Sequence, residues 1–323
     1  MSAAVPRSPA ELAAAAQPTS RVVRVLKNRL FLGLCLAMTT LAVAILIVLL
    51  ISIWSDGHGR LSMDFLTSYA SRKPAEAGIK APLWGSVAVC LICALTALPI
   101  GVCTAVYLEE FAPPSRFTSF IKLNISNLAG VPSIVYGILG LTAFARLFGA
   151  FNLNDPVELG DPESFFHLRL PLGPGVLTGG LTLMLVVLPI VIVSSSEALR
   201  SVPKSLRAGA LALGATRLQT VWNITLPASL PMVMTGAILA MSRAIGEAAP
   251  ILVLGVPLFI RSTPNNLVSD FTVLPLQIYN WAGRPQPEFH ELAAAGIIVL
   301  LAVLLSFNAV AVLIRQRLQR LDA

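Results

Sequence analysis

Of the 323 residues, 56% are hydrophobic and only 12% are charged, and the mean hydropathy is +0.80. Soluble domains carry roughly one quarter charged residues, so this chain needs lipid to cover its apolar surface. The net charge of +7 fits basic flanks beside membrane spans better than a nucleic-acid footprint, and nucleic acid is not expected as a partner.

In chain order, the first twenty residues are rich in Ala, Pro and Ser and are read as a disordered tail, followed by the basic flank RVVRVLKNR (21–29). Residues 1–29 thus form a cytoplasmic N-terminal tail. The apolar run 30–54 is too long for a signal-peptide core and is read as a first transmembrane helix, followed by an extracytoplasmic loop over 55–81. Further runs long enough to span lie near 82–106, 119–148, 174–196, 229–256 and 291–314, with a short tail over 315–323. The fold class is all-α, a polytopic membrane protein with six transmembrane helices. Counting Lys and Arg in alternate connections puts 14 on the side of the termini and 7 on the other, with Arg146 and Arg243 inside spans. Both termini are therefore expected in the cytoplasm. The middle outer loop, 149–173, carries Asp155, Glu158, Asp161 and Glu163.

All four cysteines, Cys35, Cys90, Cys93 and Cys103, fall in apolar stretches. The C-x-x-C spacing of Cys90 and Cys93 has no second pair or histidine cluster to complete a metal site, and His58, His167 and His290 are scattered singly. No metal is assigned. Glu109 and Glu110, at the end of the second span, read as a solvated interfacial pair rather than a catalytic dyad.

Inside the fifth span, Arg243 and Glu247 stand four residues apart and would project from one helical face. Charges at bilayer depth cost at least ~2.5–3.5 kcal/mol, so an idle position is not expected. Two uses fit: a self-neutralising structural ion pair, or a guanidinium offered to a passing oxyanion and held by Glu247 when none is present. In the third span, AGVPS (129–133) with Gly137 and Gly140 suits close helix packing or a broken helix, and Ser133 and Tyr136 could line a path through their hydroxyls.

Between the fourth and fifth spans, EALRSVPKSLRAGALALGATRLQTVWNITLP (197–227) is polar and basic. From about Ser205 to Gln219, Leu206, Ala210, Leu213 and Leu218 recur near helical spacing, which predicts a short amphipathic helix. Such a helix could lie in the headgroup layer or dock on a partner.

This segment resembles the EAA loop of ABC importer permeases: Glu-Ala-Ala, three residues, Gly, nine residues, then Ile-x-Leu-Pro. Ala208, Gly209, Ala210, Gly214, Ile224, Leu226 and Pro227 fall in register, with Ala208 in place of the usual Glu and Gly209 in place of Ala. YLEEFAP (107–113), NLAGVPSIVYGILGL (127–141), SRAIGEAAP (242–250) and QIYNWAGRPQPEFHELAAAGI (277–297) look like phosphate-specific importer permeases of the PstA type. The resemblance implies a type I ABC importer permease domain over 82–314, in a prokaryotic inner membrane. It also implies that the EAA loop docks on an ATPase, and that Arg243 and Glu247 take part in translocation. The implied partners are a second permease (PstC type), two ATPase subunits (PstB type) and an extracytoplasmic phosphate-binding protein (PstS type).

The chain has no G-x-x-x-x-G-K-[ST] loop, no G-x-S-x-G elbow and no H-E-x-x-H helix. It is read as a transport subunit rather than an enzyme, with ATP and Mg bound on the partner ATPase and no cofactor of its own. Import of another oxyanion, such as sulfate or molybdate, is the alternative within the family. An intramembrane hydrolase or sensor scaffold is the alternative outside it, but such an enzyme needs a nucleophile or metal ligands beside the Arg/Glu pair, and none stands at suitable spacing.

Overall fold

The computed structural model describes residues 21–146, 157–161, 164 and 166–321. The tail read as disordered lies outside these residues, as do Asp155, Glu163 and the last two positions of the third predicted span. The chain divides into two compact units, Met1–Ile53 and Trp54–Ala323. The first contains most of helix α1 (Arg21–Gly57), which carries no charged residue from Leu30 to Ile53. A helix this apolar on every side suits a hydrocarbon environment.

In the second unit, α2 (Met63–Thr67) precedes the long helix α3 (Lys80–Val106), which ends in a π-helical turn, Tyr107–Phe111. Then come α4 (Arg116–Leu128), α5 (Ser133–Gly140) with a second π turn, Leu141–Arg146, and a two-stranded antiparallel ribbon, β1 (Val157–Leu159) with β2 (Leu168–Leu170). Helix α6 (Val176–Ser201) leads to the short helices α7 (Lys204–Ala212) and α8 (Arg217–Thr220) and a third π turn, Val221–Thr225. The chain closes with α9 (Leu226–Gly246), α10 (Ala249–Val253), α11 (Leu274–Ala282) and α12 (Pro287–Leu321). Among the described residues, five helices are long and apolar enough to cross a membrane, or six if the bent pair α4–α5 counts as one span.

The third predicted span is broken at AGVPS, one of the two readings that segment offered: α4 and Ser133–Arg146 meet at 104°. Pro132 explains the corner, because it lacks an N–H for a continuous helix and disfavours helical geometry at Val131. Small residues let α5 sit tight in the bundle. A Cβ on Gly137 would come within 2.8 Å of Pro250 Cα, and one on Gly140 would collide with the Thr182 side chain of α6.

The main core lies between α3, α6 and α9. It is built from Val89, Cys93 and Ala97, from Leu183, Val187 and Val191, and from Ala240, Met241 and Ala244, all nearly inaccessible. A second core joins the segments flanking the spans: Phe65, Ile79, Leu274, Trp281, Phe289 and Leu292 cluster, with the Phe65 and Trp281 rings 6.0 Å apart. Between the fifth and sixth predicted spans, α11 forms and buries Trp281 against Phe289 and Leu292 at the start of α12.

Candidate functional site

The intramembrane charges come first. Helix α9 stops at Gly246, and Glu247 is its C-cap in an extended conformation (φ −80°, ψ 116°). Pro250 accounts for the stop, since it has no N–H to offer the Gly246 carbonyl four residues earlier. Arg243 therefore lies in the last turn of α9, roughly 26 Å along the axis from Leu226 at 1.5 Å per residue. A cation there is favoured by the negative end of the helix dipole.

Despite the break, Arg243 Nε donates to Glu247 Oε1 at 3.1 Å. The Glu247 side chain is only 16% exposed, while that of Arg243 is 47% exposed. Among the described residues, the two Nη groups of Arg243 make no hydrogen bond or ion pair. One edge of the guanidinium fork is thus fixed and the other is open.

Beyond the break, α10 packs on α5, where Gly137 sits against Pro250 and Val253. Tyr136 itself is 6% exposed and donates its hydroxyl to the Leu128 carbonyl at 2.8 Å, so it ties α5 to the end of α4. Ser133 is the first, half-buried residue of α5. Beside Arg243, the Ser242 hydroxyl reaches Asn308 Oδ1 of α12 at 2.7 Å, and about two helical turns away Arg315 Nη1 donates to Thr235 Oγ1 at 2.9 Å. These two cross-links hold α9 to α12 and were not singled out from the sequence.

The second constellation is the loop between α6 and α9. The single amphipathic helix expected over 205–219 is two helices, α7 and α8, turned at Gly214, whose φ of +86° is the left-handed region that glycine adopts without steric penalty. Helix α8 begins with a capping box, in which Thr216 Oγ1 accepts from Gln219 N–H and Gln219 Oε1 accepts from Thr216 N–H. Leu206, Leu213 and Leu218 stay exposed, Leu213 at 92%, and they are joined by Leu211 and Trp222. Ala210, expected on the same docking face, points inward at 7% exposure. Ala208 and Gly209 are exposed, and Ile224, Leu226 and Pro227 lie half-buried where the loop re-enters α9.

Glu109 and Glu110 are not the solvated pair the sequence suggested. Their side chains are 10% and 12% exposed, and each is held by basic residues. Glu109 takes both Nε and Nη2 of Arg200, at 3.0 and 2.9 Å, and Lys122 Nζ at 2.9 Å. Glu110 pairs with Arg207 of α7 at 2.9 Å.

Over residues 97–320 the chain matches the family described as the binding-protein-dependent transport system inner membrane component. It belongs to that family. Among its relatives is a probable ABC transporter permease protein, YqgI, of Bacillus subtilis (strain 168), 33% identical over 86% of this chain and 90% of that protein. The phosphate transport system permease protein PstC of Xylella fastidiosa (strain Temecula1) is 31% identical over 87% and 88%. A probable phosphate transport system permease protein PstA of Methanocaldococcus jannaschii is 27% identical over 88% and 92%. The fold is that of type I ABC importer permeases. A bacterial alginate ABC transporter crystallised with its pentasaccharide-bound periplasmic protein aligns at a TM-score of 0.63, with 14% identity over 89% of this chain and 94% of that one.

This permease is thus a multi-pass membrane protein. SRAIGEAAP and NLAGVPSIVYGILGL meet where Gly137 packs on Pro250, YLEEFAP meets the loop through the ion pairs of Glu109 and Glu110, and QIYNWAGRPQPEFHELAAAGI supplies Trp281 and Phe289 to the second core.

Proposed function

We propose that this permease carries inorganic phosphate into a prokaryotic cell as one membrane subunit of an ATP-driven importer. The observation that carries the reading is Arg243, a guanidinium with one edge held by Glu247 and its Nη edge open, beside two broken helices. A planar, permanently charged fork binds tetrahedral oxyanions through paired charge-assisted hydrogen bonds. One such cation, partly offset by a neighbouring carboxylate, attracts an anion without holding it tightly, which suits passage better than storage. Permeases named for phosphate among the relatives support the choice of cargo.

In this reading the basic loop end faces the cytoplasm, with both termini on that side. The exposed leucines of α7 and α8 dock in a groove of an ATPase subunit, where ATP and Mg are bound. A second permease of the PstC type completes the pathway, and a phosphate-binding protein docks on the opposite face. ATP binding closes the ATPases, the loop moves, and the two permeases alternate their access.

The test is ATP-dependent uptake of labelled phosphate by the reconstituted importer, with Arg243→Ala beside wild type. Losing a charge-assisted contact worth ~1.5–3 kcal/mol should slow uptake by about ten- to a hundredfold in a complex that still assembles. Unchanged uptake would remove Arg243 from the pathway. Equal competition by unlabelled sulfate would transfer the cargo to oxyanions in general.

A further inference from the structure

At the loop end of the permease, two successive carboxylates bind two different elements. In a regular α-helix, neighbouring side chains diverge by about 100° and seldom serve one face. Glu109 and Glu110 lie instead in the π turn Tyr107–Phe111, an irregularity that recurs at functional positions of other helices. From this turn Glu109 reaches Lys122 on α4 and Arg200 in the last turn of α6, and Glu110 reaches Arg207 on α7. Arg207 also donates through Nη2 to the Leu199 carbonyl near the end of α6, so its side chain bridges the loop helix, the π turn and α6.

We infer that Glu109 and Glu110 form a clamp that passes movement of the α7–α8 loop to α3 and α4, making them positioning residues for ATP coupling. The inference rests on the proposed docking of the loop on an ATPase but not on the identity of the cargo.

By covalent connection alone the loop can pull only on α6, through Val202 and Pro203, and on α9. Helix α3 packs on α6 and α9 through the main core, but its chain is remote from the loop. The Glu110–Arg207 pair closes that gap directly, and Glu109 joins α4 to the same point. Glu110 is 12% and Arg207 22% exposed, so this pair is screened less than a surface bridge, whereas Glu109, itself 10% exposed, is held by Lys122 and Arg200 at 31% and 52%. The substitution at the head of the loop fits this arrangement. Ala208 faces outward where the family pattern has Glu, and the adjacent Arg207 supplies the loop's charged contact, directed inward toward its own chain.

The test uses the complete importer in liposomes, with Glu110→Gln, Arg207→Lys, and the exchanged pair Glu110→Arg with Arg207→Glu. Phosphate moved per ATP hydrolysed is measured, along with hydrogen exchange over 204–213 in the purified chain. Glu110→Gln should lower phosphate moved per ATP at least about fivefold while hydrolysis stays within about twofold of wild type, and amides of α7 should exchange at least about fivefold faster. Arg207→Lys, which keeps the charge, should retain most of the coupling, and the exchanged pair should recover at least about half of it.

Wild-type coupling in Glu110→Gln would overturn the clamp, and faster exchange without loss of coupling would reduce it to a local tether. A wild-type complex that hydrolyses ATP but moves no phosphate would sink the cargo reading alone. The clamp would then be decided by the exchange rates and by whether Glu110→Gln frees hydrolysis from its dependence on the binding protein.

Discussion

In the proposed role, Arg243 meets two demands together, stability inside the bundle and readiness to bind an anion. Glu247 supplies the first by accepting from Nε, and the exposed Nη edge supplies the second. Arg243→Lys separates charge from shape: a lysine keeps the positive potential but loses the planar fork. Phosphate uptake by this variant should fall between wild type and Arg243→Ala in initial-rate measurements, and rates equal to wild type would show that point charge suffices. The pair was visible in the sequence because two charges four apart in an apolar run stand out. Glu109 and Glu110 were visible as residues but not as partners, because Arg200 lies 91 positions away from Glu109 and only the folded bundle brings them together.

Helix breaks are the element-scale feature that the long apolar runs concealed. Hydropathy registers only the apolar content of 119–148 and 229–256, whereas Pro132 and Pro250 decide where the backbone turns. Both prolines stood in the sequence, and their effect was hidden because proline is tolerated within helices elsewhere in the chain, as Pro99, Pro189 and Pro231 are here. The loop was the most legible element, since Gly214 at its fixed spacing marks the turn that the backbone makes with positive φ. The inward turn of Ala210 was not, because α7 is amphipathic toward both the bundle and the outside. Seating of α5 on α6 depends on small residues. Gly140→Val would drive its side chain into Thr182 and should destabilise the purified permease by ~1–3 kcal/mol, read as a lower thermal midpoint in detergent. An unchanged midpoint would mean that α5 is free to shift.

At the scale of the molecule, two cores divide the work. The α3–α6–α9 core keeps the spans together, and the aromatic cluster around Trp281 holds the segments between spans at the end away from the loop. That second core was illegible in the sequence, since Phe65 and Trp281 lie in short helices, Ile79 and Phe289 at the starts of long ones, and the four meet only through tertiary packing. Trp281→Ala should cost ~3–5 kcal/mol, seen as a lower thermal midpoint of the purified chain. The membrane class, the family segments and the Arg243/Glu247 pair were readable beforehand, whereas the partners of Glu109 and Glu110 were not. Their joining into one device, with a loop at one end and an open guanidinium at the other, came from the fold. The central claim is that this device moves phosphate by ATP-driven access past Arg243. The most direct measurement is uptake of radiolabelled phosphate into liposomes holding the full importer, with and without ATP and with excess sulfate, for wild type and Arg243→Ala. The account predicts ATP-dependent uptake that resists sulfate and collapses in the variant. Wild-type uptake rates in an assembled Arg243→Ala complex would contradict it.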